Sequence, residues 1–210
     1  MKKLVDLSHT LSPDMPTFPG DDNPEFHIDE DLIKKKIQVT TMRITTHLGT
    51  HIDCPSHLGD KEVYSEKMKL DSFYGCAIVI DVRNHIKENV INVELDDELL
   101  KYQYLLFYTG QSNFWNEEKY FNNYPYLDKK LVKRISNSNV KGIGIDTGNI
   151  DKIYDLSFPN HHLLLKNEKV IIENLTNLED LINKEFILTA FPLKIKYGDG
   201  SPVRAVAFID

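Results

Sequence analysis

The sequence predicts an α/β domain, and three observations carry that reading. Short stretches rich in β-branched and aromatic residues recur along the chain. Each is bounded by Gly, Pro, Asn or Asp, as strands are. They dominate the first 60 residues and alternate with helix-like stretches afterwards, which fits α/β or α+β layering. At 210 residues the chain suffices for one well-packed core and is short for two. A single domain over residues 1–210 is therefore expected.

Taken in order, strands are expected over 3–8, 36–48, 77–82, 104–108, 140–146, 170–173, 186–190 and 203–209. Helices are expected over 94–101, 127–136, 161–166 and 178–182. Asn92 and Asn160 are candidate caps for the helices that follow them, because an Asn side chain accepts from free backbone N–H groups. Lys34-Lys35-Lys36 reads as a solvated turn before a strand. Residues 111–126, QSNFWNEEKYFNNYPY, show no period and read as a long loop or surface excursion.

Several function classes are disfavoured. Net charge is −7, with no Lys/Arg-rich face of the kind that binds nucleic acid. No apolar run approaches the ~20 residues that span a bilayer. The start, MKKLVDLSHT, turns polar at Asp6 and lacks the apolar core of a signal peptide. A cytoplasmic location is expected, without membrane or nucleic-acid partners. Cys54 and Cys76 make no disulfide framework, and reduced thiols suit that compartment. No G-x-S-x-G elbow, G-x-G-x-x-G or phosphate-binding G-x-x-x-x-G-K-[ST] occurs. Ser56 beside His57 does not make a nucleophile–base pair, since adjacent residues rarely do.

The chemistry concentrates in THLGTHIDCPSHL, residues 46–58, which holds His47, His51, Asp53 and His57. The Thr-, Val- and Ile-rich flank favours an extended chain. Residues two apart in a strand share a face, so His47, Gly49, His51 and Asp53 are expected on one side. Gly49 would leave room between the histidines, and Pro55 ends the strand. Two imidazoles and a carboxylate suit a divalent ion such as Zn²⁺ or Mn²⁺. His57, past the Pro55 turn, can curl back to the same spot. A lone histidine would read as a polar residue on a wet strand. Four titratable groups together are too costly to cluster without a cation. Strand parity turns Cys54 to the opposite face, for packing. Asp146 either supports the site or caps a turn. Arg204 is read chiefly as structural, paired with a buried acid, with contact to a substrate carboxylate as the alternative.

His47-Leu48-Gly49-Thr50-His51-Ile52-Asp53-Cys54-Pro55-Ser56-His57 matches H-x-G-T-H-x-D-x-P-x-H at every fixed position. In this the chain resembles the metal-dependent cyclase-type hydrolases, which include bacterial kynurenine formamidase and isatin hydrolase. Four further segments resemble theirs: DLSHTLSPDMPTFPGD (6–21), GIGIDTGNID (142–151), HHLLLKNEKVIIENL (161–175) and GDGSPVRAVAF (198–208). The resemblance implies a swivelling β/β/α architecture and a homodimer. It implies two divalent ions per subunit, Zn²⁺ ahead of Mn²⁺. His47, His51 and Asp53 would hold the first; Asp53 would bridge to a second completed by His161 and Glu173. His57 would be the catalytic acid/base. Phe18 stands where formamidases carry an aromatic, often Trp, against the substrate. His162 would point about 100° away from His161 on a helix. The implied reaction is amide hydrolysis, N-formyl-L-kynurenine and water giving L-kynurenine and formate. Hydrolysis of another amide, a lactam or an ester stays open. A metal-binding protein without catalysis is the third reading, and the intact His57 speaks against it.

Overall fold

The first and last strands of the described residues pair in one sheet. The computed structural model describes residues 3–59 and 61–209; the outer limits of the expected domain, residues 1 and 210, lie outside them. The first strands are β1 (Lys3–Asp6), β2 (Glu25–Ile28), β3 (Thr40–Arg43) and β4 (His51–Asp53). Next come β5 (Tyr74–Asp81), β6 (Ile86–Lys87), β7 (Val90–Ile91), β8 (Tyr104–Tyr108) and β9 (Tyr126–Leu127). The last are β10 (Gly142–Ile145), β11 (Val170–Glu173), β12 (Glu185–Thr189), β13 (Gly200–Pro202) and β14 (Val206–Ile209). Among the described residues three α-helices accompany them: α1 (Glu30–Lys34), α2 (Lys129–Ser136) and α3 (Pro159–Leu165).

The main sheet has the order β1-β14-β12-β5-β8-β10-β11-β4-β13. Its centre, β5 to β11, is parallel. Antiparallel strands flank it on both sides. A parallel centre must be covered on both faces, and β8 displays the consequence. Tyr104, Leu106 and Tyr108 enter one core with Ile52, Cys54 and Ile172. Leu105 and Phe107 enter another with Leu131 and Ile135 of α2 and Leu164 of α3. Asp128 caps α2 by accepting from the Lys130 N–H.

The expected strands at 77–82, 104–108, 140–146, 170–173, 186–190 and 203–209 correspond to β5, β8, β10, β11, β12 and β14. The α/β class therefore holds. Other expectations need correction. The strand expected over 36–48 is confined to β3, and residues 46–50 are turns. The helices expected over 94–101 and 178–182 are single 3₁₀ turns, Leu99–Lys101 and Leu178–Leu181. At the first, the Asp96 carboxylate takes the Leu99 N–H, the side-chain competition that disfavours helix. Asn92 caps no helix; its N–H donates to the His85 carbonyl beside β7. Asn160 lies inside α3, donating to the Leu127 and Ile150 carbonyls, and Phe158 is the cap. Residues 111–126 are not a surface excursion. They form two 3₁₀ turns and bury Tyr120 and Tyr124 completely or nearly so. The aromatics that looked irregular in sequence are core filling.

Candidate active site

β4 and β11 pair antiparallel with His51 opposite Glu173. Directly opposed residues share a face, and Asp53, two residues on, shares it with His51. This register alone gathers an imidazole and two carboxylates. His161 joins them from the first turn of α3. Asp151 accepts from the N–H groups of Asn160 and His161, at 2.8 and 3.0 Å, and from His161 Nδ1 at 2.7 Å.

His47 arrives differently from the expectation. It is not on a strand, and the parity argument holds only for His51 and Asp53. Gly49 adopts φ +61°, turning the chain back so that His47 Nδ1 lies 2.8 Å from Asp53 Oδ1. Gly49 does not open space for a ligand. A Cβ there would meet Leu11 Cδ2 at 2.6 Å and Met15 Cε at 3.0 Å. Gly49→Ala is expected to destabilise the fold by about 1–2 kcal/mol through its left-handed backbone. Urea denaturation measures this, and an unchanged midpoint would refute it.

A carboxylate or carbonyl oxygen only accepts, which makes Nδ1 a donor in two of the rings. His161 Nδ1 donates to Asp151, and His51 Nδ1 donates to the Gly49 carbonyl at 2.8 Å. Their Nε2 atoms face carboxylates. His161 Nε2 lies 3.3 Å from Asp53 Oδ2 and 3.2 Å from Glu173 Oε1. His51 Nε2 lies 3.4 Å from Asp53 Oδ1 and 3.6 Å from Glu173 Oε2. Asp53 Oδ2 is buried and has no partner in hydrogen-bond geometry. Ring nitrogens and carboxylate oxygens converging here, with an orphaned carboxylate oxygen among them, fit a cation between. Two donor triads, His47–His51–Asp53 and Asp53–His161–Glu173, each keep their ligand atoms within 4.8 Å and share Asp53. The cluster suggests a metal site.

The electrostatics follow from the same contacts. Burial opposes charge on Asp53, but the facing imidazoles of His161, His47 and His51 hold it well below the usual carboxylate range. Burial also opposes charge on His47, yet Asp199 and Asp53 push its pKa up to about 10. Burial likewise disfavours charge on His161, and Asp151, Asp53 and Glu173 outweigh it and raise its pKa.

His57 stands beside this group, its ring centroid 3.9 Å from that of His47, with Nδ1 3.4 Å from Asp199 Oδ2. Phe18 borders the same cleft of ≈ 350 Å³, together with Pro19, Gly20, Asn149 and Phe158. Its ring packs edge-on against Phe121 at 5.8 Å. His162 is outside the donor cluster.

Four contributors were not assigned from sequence: Asp151, Asn174, Asp199 and Phe158. Asp151 and Asp199 lie in GIGIDTGNID and GDGSPVRAVAF, two of the segments that carried the resemblance, and that was the signal available. Asn174 donates to the Gly49 carbonyl, and Tyr120 donates to Asn174 Oδ1, so the 111–126 segment braces the site from behind. Asp146 takes the turn-capping role: it accepts from Thr109, Gly110 and Ser112. Arg204 pairs with Asp6, whose side chain is 42 % exposed rather than buried. Cys54 is fully buried in the core, and burial pushes its thiol up to about 12, which agrees with packing.

Fold and site define an α/β protein with a histidine–carboxylate centre at one end of a mixed sheet. The chain belongs to the family described as putative cyclase, whose profile matches residues 5–152. It is 33 % identical to the uncharacterized protein MJ0783 of Methanocaldococcus jannaschii, over 99 % of this chain and 100 % of that protein. It is 30 % identical to the kynurenine formamidase of Geobacillus thermodenitrificans, over 98 % of this chain and 97 % of the enzyme. Isatin hydrolase A from Ralstonia solanacearum superposes with a TM-score of 0.84 at 23 % identity, covering 100 % of this chain and 92 % of that one. At that identity the likeness concerns the fold.

Proposed function

We propose that the protein is a metal-dependent hydrolase of aryl formamides, with N-formyl-L-kynurenine as substrate and L-kynurenine and formate as products. One observation carries the reading: the two triads sharing Asp53, with Nε2 of His51 and of His161 turned inward. The kynurenine formamidases among its relatives supply the substrate class. His47, His51 and Asp53 would hold one divalent ion, and Asp53, His161 and Glu173 a second, Zn²⁺ ahead of Mn²⁺. Ions bound there lower the pKa of water toward about 7 and polarise the scissile carbonyl.

The residues divide the remaining work. His57 takes the proton from the attacking water and returns it to the leaving aromatic amine as the C–N bond breaks. Phe18 and Phe158, bordering the cleft, offer aromatic faces to the aryl group. Residues 1–210 form one catalytic domain in this reading, supported by the pairing of β1 with β14. A homodimer is part of the proposal. The hairpin β2–β3 is a separate two-stranded sheet with Ile28 and Met42 exposed, and an isolated hairpin is marginal in water. The proposal places the enzyme in the cytoplasm. Among the described residues no helix is long and apolar enough to cross a membrane.

The test is metal content by elemental analysis, paired with hydrolysis rates on a panel of formanilides and lactams. Stoichiometric metal with cleavage of aryl formamides is expected. Metal-loaded protein that opens only lactams would remove the formamidase assignment and keep the metal hydrolase. Phe18→Ala should raise KM for an aryl formamide while changing turnover less, because a ring contact adds about 0.5–1.5 kcal/mol of binding. An unchanged KM with a lowered melting temperature would make Phe18 a packing residue.

A further inference from the structure

We propose that Asp199 is a positioning residue whose single carboxylate oxygen holds both His57 and the outer nitrogen of His47. This rests on the roles proposed above for those two histidines. Asp199 Oδ2 lies 3.0 Å from His47 Nε2 and 3.4 Å from His57 Nδ1. Its other oxygen, Oδ1, accepts from Thr46 Oγ1 at 2.9 Å, which fixes the plane of the carboxylate. The backbone is fixed as well. The Asp199 carbonyl accepts from the Cys54 N–H at 2.9 Å. The next residue, Gly200, opens β13 opposite Asp53 of β4. A Cβ on Gly200 would lie 2.6 Å from His47 Cε1, so this close approach keeps the chain against the ring.

The consequence follows from donor–acceptor logic. An ionised carboxylate only accepts, so His47 Nε2 and His57 Nδ1 both donate to Asp199. His47 Nδ1 is then the nitrogen facing Asp53, on the side of the proposed ion. His57 Nε2 is the nitrogen free to move a proton. His57 follows the Pro55 turn rather than a regular element, so it depends on side-chain contacts for its aim. Its contact at 3.4 Å is the longer of the two, and catalytic hydrogen bonds of this kind tighten when substrate is bound. One carboxylate thus aims a ligand and the acid/base together, a supporting arrangement whose loss costs about 10–100-fold in affinity or activity.

The experiment compares Asp199→Ala, Asp199→Asn and Asp199→Glu in the zinc-loaded protein, with melting curves to establish that each is folded. Asp199→Ala should lose about 10–100-fold in turnover of N-formylkynurenine while KM stays within about twofold. Chelator competition should show weaker zinc binding at one of two sites. Asp199→Asn should fall in the same direction, and Asp199→Glu should recover part of the turnover. In a His57→Ala background, adding Asp199→Ala should cost little further turnover, because the two act as a unit. Unchanged turnover and zinc affinity in Asp199→Ala, a loss confined to KM, or additive losses in the double variant would each overturn the proposal. If the wild-type protein cleaves no formamide or lactam, the functional reading fails. Zinc competition then decides on Asp199: weaker binding in the variant supports the role, and equal binding overturns it.

Discussion

Asp53→Asn should abolish hydrolysis and strip the protein of both ions, the largest effect expected at any position. Asp53 belongs to both donor triads, and its Oδ2 is buried with no hydrogen-bond partner. The substitution replaces a carboxylate oxygen with an amide donor and removes a charge that the cluster is built around. Glu173→Gln touches only one triad and should lower occupancy of one ion more than the other. Elemental analysis of the two variants beside the wild type separates them. Equal loss of both ions in Glu173→Gln would show that the ligands are not divided as proposed. Chelation of the wild-type protein should give the same loss of activity, restored by Zn²⁺ or Mn²⁺. It should also lower the melting temperature, because a ligand at 100 times its Kd stabilises by about 2.7 kcal/mol. Full activity after complete chelation would refute a metal-dependent reaction.

His57→Ala should lose about 10²–10⁴-fold in turnover, the range for a positioned acid/base, and keep both ions. The ring borders the cleft and lies tilted against that of His47, but it belongs to neither triad centred on Asp53. The contrast with His51→Ala is the decisive measurement, since that variant should lose metal and activity together. A His57→Ala protein that arrives without metal would make His57 a ligand. It does share a further donor group with His47 and Asp199, so this outcome has a structural route. Turnover within twofold of wild type, with metal retained, would leave the reaction without its proton carrier.

Several features were legible in the sequence because they depend on local rules. β8 and β11 could be read from their bounded β-branched and aromatic runs, and α2 to within two residues at its start. His51 and Asp53 could be placed on one face because strand side chains alternate with a period of two, whatever the strand pairs with. The cost of clustering His47, His51, Asp53 and His57 could be judged from their chemistry alone. The 111–126 segment was recognisable as irregular, yet its burial was not, because burial of Tyr120 and Tyr124 depends on the cavity the rest of the sheet leaves for them.

The tertiary structure decided what lies far apart in sequence. Asp199 reaches His57 across 142 residues only because β13 adds to the free edge of β4. Glu173 faces His51 because β11 pairs with β4 in one register; a shift by one residue would turn Glu173 to the opposite face. His47 was expected in the cluster for the wrong reason. A strand would have carried it there by parity, whereas the molecule uses a left-handed turn at Gly49 packed under Leu11 and Met15. The sequence determined which chemical groups are available and which neighbours share a face, since side-chain chemistry and backbone periodicity are local properties. Which groups finally meet, and at what distance, depends on strand register and long-range packing, whose energies are set by residues that no short stretch of the chain contains.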